Sequence, residues 1–265
     1  MPAIRPDALI FDVDGTLADT EEAHRTAFNL AFEQQGLGWN WSRADYRRLL
    51  TTTGGKERIA RHIGALDLTD AERAGLLDRL PQIHAAKTRF YSAVVRDGAV
   101  PLRPGVARLL AVGGHAGCRL AIASTTTAIN VDALLHATLG ARALERFAVI
   151  ACGDQVAAKK PAPDIYLLAL EHLGVRADQA IAFEDSLNGL RAARAAGLWT
   201  VITPTFWTED SDFSDADLVL PQLGDAASPL PDEPGTRLRH LAWLGFDELC
   251  RLAGGEAHPA DAALR

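Results

Sequence analysis

The chain has 265 residues, room for one large α/β domain or a core with a smaller insertion, and 48% of them are apolar. A formal net charge of −7 without any basic run argues against nucleic acid or an anionic membrane as a partner. No apolar stretch approaches a bilayer span, and the opening MPAIRPD lacks the pattern of a secretion signal, so a cytoplasmic protein is expected. Cys118, Cys152 and Cys250 are scattered without ligand spacing and read as buried free thiols, as in a reducing compartment.

The first predicted strand, 9–11, lies in ALIFDVDGTLADT and reads as buried on both faces, the kind found inside a parallel sheet. It ends on Asp12 and Asp14, with Gly15 turning the chain. A strand cap with an Asx turn explains that ending as well as a site does, on this stretch alone. Further apolar runs follow at 120–123, 148–151, 181–183, 200–202 and 218–220, with helical patterns at 128–139, 163–173 and 187–196. This alternation predicts an α/β fold: a Rossmann-like core built on a parallel sheet.

Roughly a hundred residues separate the first two strands, far more than the dozen a crossover needs. That interval is helical by pattern. TEEAHRTAFNLAFEQQG places Ala23, Ala27, Leu30 and Ala31 on one face, and further helices are expected at 42–50, 56–63 and 70–95. The predicted organisation is therefore a core of 1–18 and 98–224, with a small helical cap of 19–97 inserted after the first strand. The two connections, 17–21 and 97–104, are the expected bends. From 225 to 265 the chain becomes Ala/Pro/Gly-rich, with one amphipathic stretch at 238–252 and a final segment, 254–265, expected to be disordered.

Polar features fall at the C-terminal ends of successive strands: Asp12 and Asp14, then Ser124-Thr125-Thr126, then Lys159-Lys160-Pro161, then Glu184-Asp185. Ligands bind at that edge of a parallel sheet. Separately each has a plain explanation as a helix cap, a solvated lysine or a turn. Together they suit phosphoryl transfer: hard oxygen ligands for Mg²⁺, donors for a phosphoryl group, a carboxylate nucleophile and a second acid to move the proton.

DVDGT, AST, KKPAPDIY and FEDSLNGLRAARAAG resemble the four motifs of the haloacid dehalogenase-like phosphohydrolases, over residues 4 to about 223. The resemblance implies Asp12 as nucleophile and Asp14 as general acid/base, with its backbone carbonyl on the metal. It also implies Ser124 and Lys160 on the phosphoryl group, Asp185 on Mg²⁺ and Glu184 in support of that site. Lys160 rather than Lys159 matches the motif lysine because it precedes Pro161. The cap segments DTEEAHRTAFN, YRRLLTTTGGKERIARHIG and IHAAKT resemble CbbY-type sugar-bisphosphate phosphatases, relatives of β-phosphoglucomutase. That group includes enzymes acting on xylulose 1,5-bisphosphate, which implies a small phosphorylated sugar as partner and a monomeric enzyme.

Gly54 and Gly55 offer close backbone approach at a helix start, and Lys56 and Arg58 suit a second phosphate, with a solvated helix face as the alternative reading. Glu21, Tyr46, Lys87, Thr125 and Thr126 complete the expected substrate contacts, although Tyr46 serves equally as cap core. His24 and His84 are expected to be structural, because nothing near them has metal-ligand spacing. A phosphosugar mutase, a phosphatase for another small metabolite such as phosphoglycolate, and a non-catalytic protein of this fold remain the alternatives.

Overall fold

Strand β1 (Ala8–Phe11) is buried along its whole length, as its unbroken apolar sequence requires. It pairs in parallel with β2 (Arg119–Ala123) on one side and β4 (Ala180–Glu184) on the other. With β3 (Val149–Ala151), β5 (Trp199–Ile202) and β6 (Leu218–Val219), a six-stranded parallel sheet forms in the order β3-β2-β1-β4-β5-β6. The structure is a computed structural model that describes residues 5–232, 238 and 241–255.

Alternate side chains of β1 feed opposite layers, as strand periodicity dictates. Leu9 and Phe11 join one cluster with residues of α5 (Val106–His115), α6 (Ala128–Leu139) and α9 (Phe246–Ala253). Ala8 and Ile10 join a second, with α7 (Asp164–Leu173) and α8 (Leu187–Ala195). The stacked rings of Phe11 and Phe183, 4.5 Å between centroids, lock the two central strands together. The chain order reverses at β1, so the C-terminal ends of β1, β2 and β4 converge at the crevice where such sheets bind ligands.

Between β1 and α5 the chain forms α1 (Glu21–Gln34), α2 (Arg43–Leu49), α3 (Gly55–Gly64) and α4 (Asp70–Arg96). Ser42 with Asp45 and Thr69 with Glu72 form capping boxes that fix where α2 and α4 begin. These helices enclose a third cluster of Phe28, Phe32, Trp41, Tyr46, Ile59, Ile63 and Ile83. The inner ends of α1 and α4 (Ala23, Ala27, Tyr91 and Val95) pack instead into the first cluster, against the sheet. The two connections lie side by side: Ala18 bridges Leu102, and the Arg103 N–H donates to the Leu17 carbonyl at 2.8 Å.

Three expectations change. Helix α5 is not among the predicted elements. The amphipathic stretch 238–252 is helical only within α9, because residues 241–245 form bends and loop and residues 239–240 lie outside the described residues. The buried stripe of α1 runs through Ala23, Ala27, Phe28, Ala31 and Phe32, and Leu30 is only partly buried. Of the tail expected to be disordered, residues 256–265 lie outside the described residues. The described part of the extension packs Leu230, Leu238, Leu244, Leu249 and Leu252 into the core cluster. Among the described residues no helix is long and apolar enough to cross a membrane.

Candidate active site

Asp12 leaves β1 with its N–H donating to the Phe183 carbonyl at 3.0 Å, which extends the ladder by one residue and aims the next turn across β4. Gly15 then takes a positive φ of 85°. A Cβ there would collide with the Asp185 carboxylate, so only glycine lets the turn and that acid share the space. Lys160, from the loop after β3, donates to Asp12 Oδ1 at 2.6 Å, Glu184 Oε1 at 2.5 Å and the Ala123 carbonyl at 2.8 Å. The Tyr166 hydroxyl donates to the same Glu184 oxygen at 2.6 Å.

Burial works against the Lys160 charge, but Asp12 and Glu184 outweigh it and hold the ammonium protonated. Lys159 points the other way, into an ion pair with Glu57 of α3 at 3.0 Å. Between the two lysines, the geometry puts Lys160 in the acidic cluster.

Asp12, Glu184 and Asp185 are all buried, and one oxygen from each lies within 4.8 Å of the others. Of the three, Lys160 bonds to Asp12 and Glu184, while the Asp185 carboxylate accepts from the Thr208 hydroxyl at 3.4 Å. Burial pushes the Asp12 and Asp185 carboxyls well above the usual range, and their acidic neighbours push further. A divalent cation among the three would remove that penalty and restore the ionised forms. The residues therefore fit a hard metal ion. The side chain of Asp14 is not one of the three.

Asp14 faces the start of α1. Its Oδ1 accepts from Thr20 Oγ1 at 2.6 Å and from His24 Nε2 at 2.8 Å. Lys87 Nζ lies 2.6 Å from His24 Nδ1. An ammonium must donate there, so the neutral imidazole carries its proton on Nε2 and passes it toward Asp14. Burial raises the Asp14 carboxyl, but His24, Thr20 and Lys87 together more than reverse this and hold it well below the usual range. Burial likewise lowers His24, and brings Lys87 down to about 7. Asp14 in this arrangement is a carboxylate, the base form.

A cavity of about 890 Å³, open mouth included, spans this edge and the helices above it. Of the predicted residues, Asp12, Asp14, Glu21, Gly54, Gly55, Lys56, Arg58, Lys87, Thr125, Thr126, Lys160 and Asp185 line it. Tyr46 does not. It is fully buried, its hydroxyl donates to Glu21 Oε2 at 2.6 Å, and it accepts from Arg58 Nη1 at 2.9 Å. Tyr46 thus aims two wall residues rather than touching what lies between them. Ser124 is 1% exposed, its hydroxyl accepting the Thr126 N–H at 3.3 Å, and Glu184 is held under Lys160. His24 and His84, read from sequence as structural, both line the cavity.

The haloacid dehalogenase-like hydrolase family matches residues 6–197. The chain belongs to that family. Protein CbbY (plasmid) of Cupriavidus necator is 53% identical over 233 residues, covering 88% of this hydrolase and 92% of that protein. The crystal structure of CbbY from Rhodobacter sphaeroides in complex with phosphate superimposes with a TM-score of 0.76. The identity is 50%, over 84% of this hydrolase and 98% of that chain. A mutant of the same R. sphaeroides protein, in complex with xylulose-(1,5)bisphosphate, matches equally well.

Other wall residues of this hydrolase escaped sequence reasoning, among them Asp154, Asn188 and Thr208. Asn188 of α8 donates to the Thr51 carbonyl at 3.1 Å and to Thr53 Oγ1 at 2.9 Å, and Lys56 pairs with Asp154 at 3.2 Å. Only the fold brings these partners together, since 98 residues separate Lys56 from Asp154.

Proposed function

We propose that this hydrolase removes one phosphate from a small sugar bisphosphate, with xylulose 1,5-bisphosphate as the best candidate. One cavity with a cation at each side supports the reading: Lys160 at the sheet edge, and Lys56 and Arg58 on α3. The xylulose-(1,5)bisphosphate complex of the R. sphaeroides relative points to the same substrate class.

In the proposed reaction an Asp12 oxygen attacks phosphorus in line and the bond from phosphorus to the sugar oxygen breaks. Asp14, protonated once it has left Thr20 and His24, delivers that proton to the leaving oxygen and becomes a carboxylate. Water then attacks the phosphoryl group on Asp12, Asp14 takes its proton, and free phosphate and the original carboxylate are restored. Lys160, with donors from Ser124 and the backbone after it, offsets the charge on the phosphoryl oxygens. Mg²⁺ is the proposed metal, held by Asp12, Asp185 and the Asp14 carbonyl with Glu184 in support, and it would supply charge neutralisation.

Phosphate release from a panel of sugar mono- and bisphosphates tests the reading. Xylulose 1,5-bisphosphate is expected to be turned over best and the matching monophosphates markedly less well. Appearance of an isomeric sugar phosphate in place of free phosphate would overturn it in favour of a mutase. Lys56→Ala should cut the preference for the bisphosphate by about tenfold, the low end for a charge-assisted contact, because this side chain is 44% exposed. Arg58 is the poorer test, since its removal also strips a partner from buried Tyr46.

Metal binding is separately measurable. Millimolar Mg²⁺ should raise Tm, because a ligand that binds only the folded state stabilises it. Asp185→Asn should remove most of that rise. An Asp185→Asn protein that gains as much Tm from Mg²⁺ as the wild type would place the metal elsewhere.

A further inference from the structure

The segment after β5, PTFWTED, leaves the sheet and reaches into the helices inserted after β1. Trp207 is 5% exposed and belongs to the third cluster, whose other members come from α1 to α4 and the 35–42 loop. Its ring meets Tyr46 edge-on, 5.5 Å between centroids at 87°. Around it, Arg47 of α2 pairs with Asp210 at 2.8 Å and lies over the Phe206 ring at 5.0 Å. The root of the segment is fixed to the core. Arg103 donates to the Thr203 carbonyl at 2.5 Å and to the Pro204 carbonyl at 2.9 Å, and its guanidinium also holds the Gly15 carbonyl of the Asp12–Asp14 turn.

Tyr46 is the residue that sets Glu21 and Arg58 in the cavity wall. Its ring has aromatic neighbours in Phe28 and Trp41, both from the inserted segment, whereas Trp207 alone among its ring contacts comes from the core. We infer that Trp207 is a positioning residue for substrate selection: docked against Tyr46, it fixes Glu21 and Arg58 at the distance from Asp12 that a bisphosphate requires. A side chain rooted in the same loop frame as the Asp12 turn acts as a gauge between the reacting end and the selecting end. Without it, the polar triad keeps its internal hydrogen bonds and the polar ties of α1 and α3 to the core, but Tyr46 loses the aromatic contact that ties its ring to the segment after β5. Small misplacements of binding groups cost large factors in turnover when they must act together with distant chemistry.

The inference rests on the phosphatase reading. Wild type, Trp207→Ala, Trp207→Phe and Arg47→Gln are assayed with xylulose 1,5-bisphosphate and with a small aryl phosphate that has no second group to grip. Trp207→Ala should lower the ratio of the two kcat/KM values by about tenfold or more, with Phe restoring most of it and Arg47→Gln showing a smaller loss. Adding Tyr46→Phe to Trp207→Ala should lower the ratio further by much less than Tyr46→Phe does alone, the signature of two residues in one pathway. An unchanged ratio, additive losses, or an equal fall on both substrates with a lowered Tm would each overturn the inference. A wild-type enzyme that releases phosphate from neither substrate would defeat the phosphatase reading itself; one that does so, with the ratio intact in Trp207→Ala, defeats only the role given to Trp207.

Discussion

Asp12→Asn is expected to fold and to lose turnover by a factor on the order of 10⁴ or more, the scale seen when a covalent nucleophile is removed. The amide cannot attack phosphorus, and it is a weaker ligand for a hard cation. Folding should survive, because Lys160 keeps its short contacts with Glu184 and the Ala123 carbonyl. The amide relieves the burial penalty on Asp12 but takes one of the two counter-charges from buried Lys160, so a modest fall in Tm without metal is expected. Steady-state phosphate release and a thermal melt check both statements. Activity near that of the wild type would remove the basis for an aspartyl-phosphate route.

Asp14→Asn should slow hydrolysis of sugar phosphates by roughly 10²–10⁴. The effect depends on the leaving group, which makes it diagnostic. A sugar alkoxide must be protonated as it departs, whereas a phenolate with electron-withdrawing groups leaves unaided, so the loss should shrink on aryl phosphates. In the resting arrangement Asp14 is ionised and bonded to Thr20 and His24. To act as an acid it must leave those partners and carry a proton, so the His24–Lys87 pair governs how readily it does so. Equal losses on sugar and aryl phosphates would assign Asp14 to supporting the metal instead.

The central strands were readable because strands buried on both faces have largely apolar runs, and the acids that end β1 and β4 stand out by contrast; the edge strand β6 is only two residues long, with Val219 46% exposed. The core residues of the site follow from that edge: Asp12, Lys160 and Asp185 meet because β1, the β3–α7 loop and β4 all deliver their ends to one place. What sequence could not convey was pairing across the cavity. His24 shows no ligand spacing, and its contact with Lys87 exists only once α1 and α4 are side by side. Tyr46 was ambiguous for a physical reason: it is core by burial, while its hydroxyl bonds to Glu21 and Arg58 of the cavity wall. Helix α5 carries Gly113 and Gly114, which interrupt its apolar pattern. At Gly113 a Cβ would press to 2.8 Å from Leu9 Cδ1, so the residue serves close packing on β1.

Helix α4 spans 27 residues, about 40 Å at 1.5 Å per residue. One end, through Tyr91 and Val95, is seated in the core cluster, while Ile83 farther along belongs to the third cluster and His84 and Lys87 line the cavity. That geometry is a lever with its fulcrum at the seated end. Lys87 and His84 lie 9 and 12 residues from Arg96, so a tilt of about 10° would carry them roughly 2–3 Å. That displacement matches a hydrogen-bond length, so a small tilt would make or break a hydrogen bond from either side chain into the cavity. The inserted helices therefore need not swing wide: a tilt of a few degrees at the fulcrum would be enough to loosen what these side chains hold.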